Sequence, residues 1–368
     1  MPTRSRPLFS WHGCVLEVAG KPDVMYVANE TPMRLYQNIH TLLEQRRQAA
    51  RETGGRGPRV LVAGPCDSGK STLCRILVNY AVRTDCRPIY ADLDVGQGAV
   101  VLPGTIVATP VTLPVTVDES FPMSAPLVFS YGSASMGSNP DYFTECLQHM
   151  ATKLNSQCDS EPDFRTPGLI INTCGWVEGV GYKLLKDSIE KLSADVVLVL
   201  GDERLYSQLA GELTGQNISV VKLHKSGGVV NRDPQYRRQT RMSKIREYFY
   251  GEAGNLSPDS RVLNFSDVAL YRIGGGQSAD SSCLPIGAES VISKLTPQLV
   301  VPGPELKHAV LAVSYAESAD HVLSSNIAGF IIVQEIDVAN QRMTVLAPSP
   351  GNLPNNVLII GDIKWVEG

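Results

Sequence analysis

Eight consecutive residues, Gly64-Pro65-Cys66-Asp67-Ser68-Gly69-Lys70-Ser71, satisfy the pattern G-x-x-x-x-G-K-[ST] at every fixed position. Glycines at those spacings let the backbone curl so that successive N–H groups converge on a polyphosphate, backed by the positive end of the following helix. The pattern assigns Lys70 to the β- and γ-phosphates and the Ser71 hydroxyl to Mg²⁺, and it makes Gly64 to Thr72 the candidate nucleotide-binding set. Two carboxylates follow, Asp92 and Asp94, the second inside Leu93-Asp94-Val95-Gly96-Gln97-Gly98. Beside a triphosphate, a carboxylate orients Mg²⁺ or accepts a proton from an attacking hydroxyl, because phosphoryl transfer rests on positioning and charge neutralisation. Asp94 is the candidate base, and Ser71, Asp92 and Asp94 are the candidate metal ligands. The competing roles are a turn-forming Asp near glycine for Asp94 and packing or capping for Asp92.

From Lys225 to Arg246 seven basic residues stand against a single acid, Asp233. Arg237 and Arg241 are four apart and share a helical face, and Arg232 precedes that helix just after Gly227-Gly228, a pair suited to hinging. Such a run is either a solvated helix face or a mobile arginine cluster laid over a transferring phosphoryl group. Trp176 follows Asn172-Thr173-Cys174-Gly175 at the expected carboxyl end of a strand, where open α/β sheets bind ligands. Its ring either stacks on a nucleobase or packs beneath a loop. No N-K-x-D occurs, so the usual guanine-reading element is missing and ATP is favoured over GTP.

These side chains need a sheet to carry them. Arg59 to Ala63 reads as a short buried strand running into the phosphate loop, and Thr72 to Val82 reads as the helix leaving it. Pro88 to Asp94, Gly168 to Asn172, Asp195 to Leu200 and Ile218 to Leu223 read as further strands. Their apolar runs are those of a parallel sheet covered on both faces. Helices are expected from Thr31-Pro32 (with Tyr36, Ile39, Leu42 and Leu43 on one face), from Asn139-Pro140 (with Phe143, Leu147 and Met150), around Tyr182 to Leu192, and from the Asp202 cap to Leu213. Leu102 to Phe129 is proline-rich and weakly patterned. After Asn255 the pattern changes to short strands with Pro and Gly turns, such as Ala309 to Ser314, Gly329 to Val333 and Met343 to Leu346. At the amino terminus, Leu8 to Trp11 and Cys14 to Val18 look like two strands, with a third at Val24 to Ala28. The fold class is therefore α/β: a P-loop NTPase parallel sheet with helices on both faces, a mainly β carboxyl-terminal domain and a short amino-terminal β remnant. The expected division is 1–30, the remnant; 31–254, the P-loop domain with its connecting helix and arginine lid; and 255–368, the β domain.

The chain has 368 residues, 43% hydrophobic and 19% charged, with a formal net charge of −4. That balance excludes a globally basic, non-specific nucleic-acid binder. The eight cysteines include no C-x-x-C pair and the six histidines show no metal-ligand spacing, which argues against a zinc site and for a reducing compartment. No apolar run approaches a membrane span and no signal-peptide pattern opens the chain, so the expectation is a soluble protein of the cytosol or nucleus with no membrane partner.

With these residues in place, the sequence resembles the eukaryotic polynucleotide 5′-hydroxyl kinases that are subunits of the pre-mRNA 3′-end cleavage and polyadenylation machinery and associate with the tRNA splicing endonuclease. The resemblance is carried by Trp11-His12-Gly13-Cys14, the phosphate loop, Leu93 to Gly98, Ile171 to Trp176, Lys225-Ser226-Gly227-Gly228-Val229-Val230 and Ile245 to Gly251. It implies ATP-dependent phosphorylation of an RNA 5′-hydroxyl in the nucleus, with ATP and Mg²⁺ as cofactors. Lys70 and Ser71 would then hold the phosphates and Mg²⁺, and Asp94 would activate the hydroxyl. Trp176 would stack on the terminal base, with Gln97 and Thr173 beside it on the substrate side, and Arg232, Arg237 and Arg241 would form the lid. It also implies a β-rich amino-terminal domain, of which only the last strands are expected here. Some relatives keep the fold and bound ATP without kinase activity, so a scaffold subunit of the cleavage and polyadenylation complex is the competing expectation.

Overall fold

Helix α1 (Met33–Thr53) turns Tyr36, Ile39, Leu43 and Ala50 inward and stops at Gly54, whose φ of 68° supplies a left-handed cap. The chain then enters β1 (Arg59–Ala63), in which every residue is buried, and passes through the phosphate loop into α2 (Lys70–Arg83). Next come β2 (Ile89–Asp92), β3 (Thr105–Pro110) and β4 (Leu127–Ser130). Asn139 accepts from the Tyr142 amide and starts α3 (Pro140–Ser160), and the short α4 (Pro162–Arg165) leads to β5 (Leu169–Asn172). After α5 (Val180–Lys191) and β6 (Val196–Leu200), Asp202 accepts from the Leu205 amide and starts α6 (Glu203–Glu212). The unit closes with β7 (Ser219–Leu223) and α7 (Pro234–Tyr250). This computed structural model describes residues 8–22, 25–28, 30–116, 121, 126–274 and 295–367.

The first sheet has the order β4-β3-β2-β5-β1-β6-β7. From β2 to β7 its pairs are parallel, whereas β3 and β4 run antiparallel and extend one edge. Strand alternation divides the core. Val60 and Val62 pack with α1, α2 and α7, while Leu61 and Ala63 pack with α3, α5 and α6. Helices therefore cover both faces, as the apolar runs require.

A second sheet is built from β8 (Asp259–Asn264), β9 (Ala269–Ile273), β10 (Pro297–Leu299), β11 (Ala309–Ser314), β12 (Ile327–Asp337), β13 (Arg342–Ala347) and β14 (Val357–Lys364). It carries its own core, including Leu311, Ile331, Val345 and Leu358. Its domain also holds the second half of α7: the Phe330 amide donates to Tyr248 Oη at 3.1 Å, and Trp365 Nε1 donates to the Met242 carbonyl at 3.2 Å.

Three sequence expectations change. The weakly patterned stretch after Leu102 forms β3 and β4, an antiparallel extension of one edge, with Pro110 at the last position of β3 and Pro126 just before β4, so neither interrupts a strand. No strand forms at Leu8 to Trp11 or Cys14 to Val18, since two short strands without a sheet to join are marginal. Of the third, residues 25–28 are irregular and Val24 lies outside the described residues. Helix α1 begins one residue late, with Pro32 rather than Thr31 at its cap position.

Candidate functional site

The phosphate loop depends on backbone that side chains would obstruct. Gly64 has φ 149°, and a Cβ there would lie 2.6 Å from the Leu200 carbonyl oxygen; Gly69, at φ 96°, caps α2. Lys70 is buried, and its ammonium crosses the loop to donate to the Gly64 and Pro65 carbonyls at 2.9 and 2.8 Å. Burial lowers its pKa, opposed first by the Asp94 carboxylate. Ser71 and Thr72 are exposed on the first turn of α2, Cys66 is exposed, and Ser68 is buried.

Strands β2 and β5 end in register, with Asp92 opposite Asn172. Asp92 Oδ1 accepts from Asn172 Nδ2 at 3.0 Å and from the Asp94 amide at 3.1 Å, while Oδ2 accepts from the Ala99 amide at 3.3 Å. Burial, with the neighbouring Asp94 charge, pushes the Asp92 carboxyl up to about 7. Asn172 Oδ1 in turn accepts from the Ser71 hydroxyl at 3.4 Å. Asp94 Oδ1 accepts from the Gly96 amide at 3.0 Å. Burial raises the Asp94 pKa, and that amide together with the charges of Lys70, Arg237 and Arg241 pulls it back. Gln97 is half-buried in the same turn, its amide donating to the Asp94 carbonyl at 3.3 Å.

Two substrate-side expectations separate. Thr173 is buried and its hydroxyl donates to the Val62 carbonyl at 2.7 Å, so it ties β5 to β1 rather than facing an open surface. Trp176 remains 40% exposed at the strand end. Its indole leans on Gly137 and Gly181, where a Cβ would lie 3.6 Å and 2.5 Å away.

One of the three arginines reaches the loop with its side chain. Arg237 Nη2 and the Arg232 amide both donate to Asp67 Oδ2, at 2.7 and 2.9 Å, and Arg237 Nε donates to the Arg232 carbonyl at 3.1 Å. Desolvation works against the Arg237 charge, yet hydrogen bonding to Cys66 and the Asp67 carboxylate leave its pKa raised. The Arg232 guanidinium lies 5.4 Å from the Tyr236 ring centre. Arg241 is half-buried; burial and the charges of Arg237 and Arg238 lower its pKa, with Asp94 opposing. Neither Gly227 nor Gly228 has a positive φ. The pair instead allows the amino-terminal segment to pass closely, since Tyr26 Oη donates to the Gly228 carbonyl at 2.6 Å and a Cβ on Gly227 would lie 3.2 Å from the Glu30 carbonyl oxygen.

Sequence reasoning missed Asn172 and Gly175. Asn172 is buried and links Ser71 to Asp92; its signal was a polar residue closing the apolar run of β5. A Cβ on Gly175 would lie 2.4 Å from Cys66 Sγ, so the chain after β5 is packed against the phosphate loop.

Residues 64–251 match the family model described as mRNA cleavage and polyadenylation factor CLP1 P-loop. The chain belongs to the Clp1 family. Residues 256–367 match the model of the pre-mRNA cleavage complex II protein Clp1, and residues 2–50 match that of the N-terminal beta-sandwich domain of polyadenylation factor. Among similar family members, the protein CLP1 homolog of Arabidopsis thaliana is 44% identical over 374 residues, covering 100% of this chain and 84% of that protein. The polyribonucleotide 5′-hydroxyl-kinase Clp1 of Homo sapiens is 44% identical over 361 residues, covering 98% and 84%. The solved complex of wild-type Clp1p with Pcf11p aligns at a TM-score of 0.77 and 26% identity, over 91% of this chain and 80% of that one.

Proposed function

We propose that this chain is an ATP-dependent polyribonucleotide kinase that phosphorylates RNA 5′-hydroxyl ends. The observation that carries the reading is the placement of Asp94 in the turn that follows β2, bonded to Asp92 and Gly96, with a lid arginine, Arg237, joined to the phosphate loop through Asp67. A base at that point accepts the proton of the attacking hydroxyl as the new oxygen–phosphorus bond forms and the γ-phosphorus leaves its β-bridging oxygen, releasing ADP. Lys70 and Arg241 neutralise charge on the migrating group, and Trp176 offers its open ring to the terminal base. The hydroxyl of Ser71 and the carboxylates of Asp94 and Asp92 are hard oxygen donors, a set that suits Mg²⁺. These residues would hold that ion, which when bound supplies charge neutralisation across the β- and γ-phosphates.

The names of the relatives support placing this activity in the pre-mRNA cleavage machinery, with a Pcf11-type subunit as partner and the nucleus as location. Association with the tRNA splicing endonuclease follows the sequence resemblance. No described helix is long and apolar enough to cross a membrane. The division into 1–30, 31–254 and 255–368 is the proposed domain organisation, supported by the two separate sheets.

The test is incubation with γ-labelled ATP and RNA oligonucleotides ending in a 5′-hydroxyl, with DNA oligonucleotides alongside. Label is expected on the RNA. ATP binding without transfer to either would replace the kinase with the scaffold subunit.

A further inference from the structure

The phosphate loop carries an acid, Asp67, and its pattern assigns that position no role. An acidic side chain in a loop that must hold polyphosphate repels its ligand unless the charge is met. Here it is met from the lid: Asp67 Oδ2 accepts from Arg237 Nη2 and from the Arg232 amide, and Arg237 Nε closes the ring onto the Arg232 carbonyl. The two side chains are only 16% and 26% exposed, so solvent screens the pair weakly and its bonds are charge-assisted. Just before this ring, Val229 Cγ2 lies 3.1 Å from where a Cβ on Gly69 would stand, so the lid's leading segment rests on the loop.

We propose that Asp67 is a positioning residue that docks the arginine lid on the phosphate loop, with Arg237 as its anchor. The charges of Arg237 and Arg241 both reach Asp94, and with Arg237 bonded to Asp67 it is Arg241 that is left to act on the phosphoryl group. This catalytic consequence rests on the kinase reading; the docking does not.

The experiment is amide hydrogen exchange on the full chain, without nucleotide, comparing wild type, Asp67→Asn, Arg237→Ala and the double variant. Asp67 has φ 52°, a left-handed conformation that Asn also adopts, so the substitution removes the charge while the backbone stays. Exchange across 229–233 is expected to accelerate about tenfold in each single variant and no further in the double, with the interior of α2 unchanged. Unchanged exchange in Asp67→Asn, or single effects that add in the double, would overturn the docking. Should Asp67→Asn unfold, shown by fast exchange throughout α2, Arg237→Lys replaces it. A lysine keeps the charge but replaces the two nitrogens that meet Asp67 and the Arg232 carbonyl with one, so intermediate acceleration is expected and wild-type exchange would refute the proposal. Since exchange needs no substrate, docking with no phosphate transfer would defeat the kinase reading alone.

Discussion

Strands β1 and β5 bury every one of their residues, whereas α7 buries only Ile245 and Phe249 of its 17. The groups at the strand ends are tied into the core through Asp92, Asn172 and Ser71. The lid helix is held at its middle and its far end, through Met242 and Tyr248, and meets the phosphate loop through Arg237. The difference matches two demands. A nucleotide cradle and a base must hold fixed geometry, so they sit where opening costs the stability of the core. Arginines that act only while charge is developing must admit and release substrate, so they sit on an element with few buried contacts.

That comparison breaks most readily at Asp94. Asp94→Asn keeps the shape and removes the proton acceptor, and turnover should fall by roughly 10²–10⁴ with the melting curve little changed. Retained turnover would move the base to another group. Next, Arg241→Ala should lower kcat by roughly 10²–10³ while ATP affinity, read by calorimetry, stays near wild type, as expected of a group acting on the transition state.

At the strand ends, Asp92 sharpens the comparison through pH. Its ordinary value of 3.8 in the unfolded chain rises to about 7 in the folded one, so the folded chain keeps a proton that the unfolded chain releases. Its contribution to stability is therefore greatest at low pH and declines as pH rises from about 4 to 7. Relative to wild type, Asp92→Asn should gain roughly 2–3 kcal/mol between pH 5 and pH 8, measured by urea unfolding in chelator. A constant difference would show that Asp92 is ionised throughout. The smallest effect is assigned to the open ring at the strand ends. Trp176→Ala should weaken RNA binding by roughly 1–3 kcal/mol and leave ATP affinity unchanged, and an equal loss for ATP would place the ring elsewhere.

The strands and the phosphate loop were legible because their signals are local. Continuous apolar runs marked β1, β5 and β6, and loop spacing fixed the placement of Lys70 and Ser71. The lid was legible only as composition. Which arginine meets which acid depends on Asp67, 170 positions from Arg237 in the chain, and no periodicity reports such a contact. The Thr173 bond to the Val62 carbonyl was illegible for a related reason, since a place in a motif at a strand end does not reveal which way a buried hydroxyl turns. At the amino terminus Leu8 to Trp11 and Cys14 to Val18 form no strand although residues 2–50 match the model of an N-terminal beta-sandwich domain, because a strand signal names no pairing partner.

The central claim is that this site moves a phosphoryl group onto an RNA 5′ end. It is tested most directly by mass spectrometry of an RNA oligonucleotide with a free 5′-hydroxyl after incubation with the protein, ATP and Mg²⁺. The account predicts the gain of one phosphate at the 5′ terminus, none on an oligonucleotide already phosphorylated there, and none with Lys70→Ala. An unmodified oligonucleotide under conditions where the protein binds ATP, or a phosphate gained equally with Lys70→Ala, would contradict it.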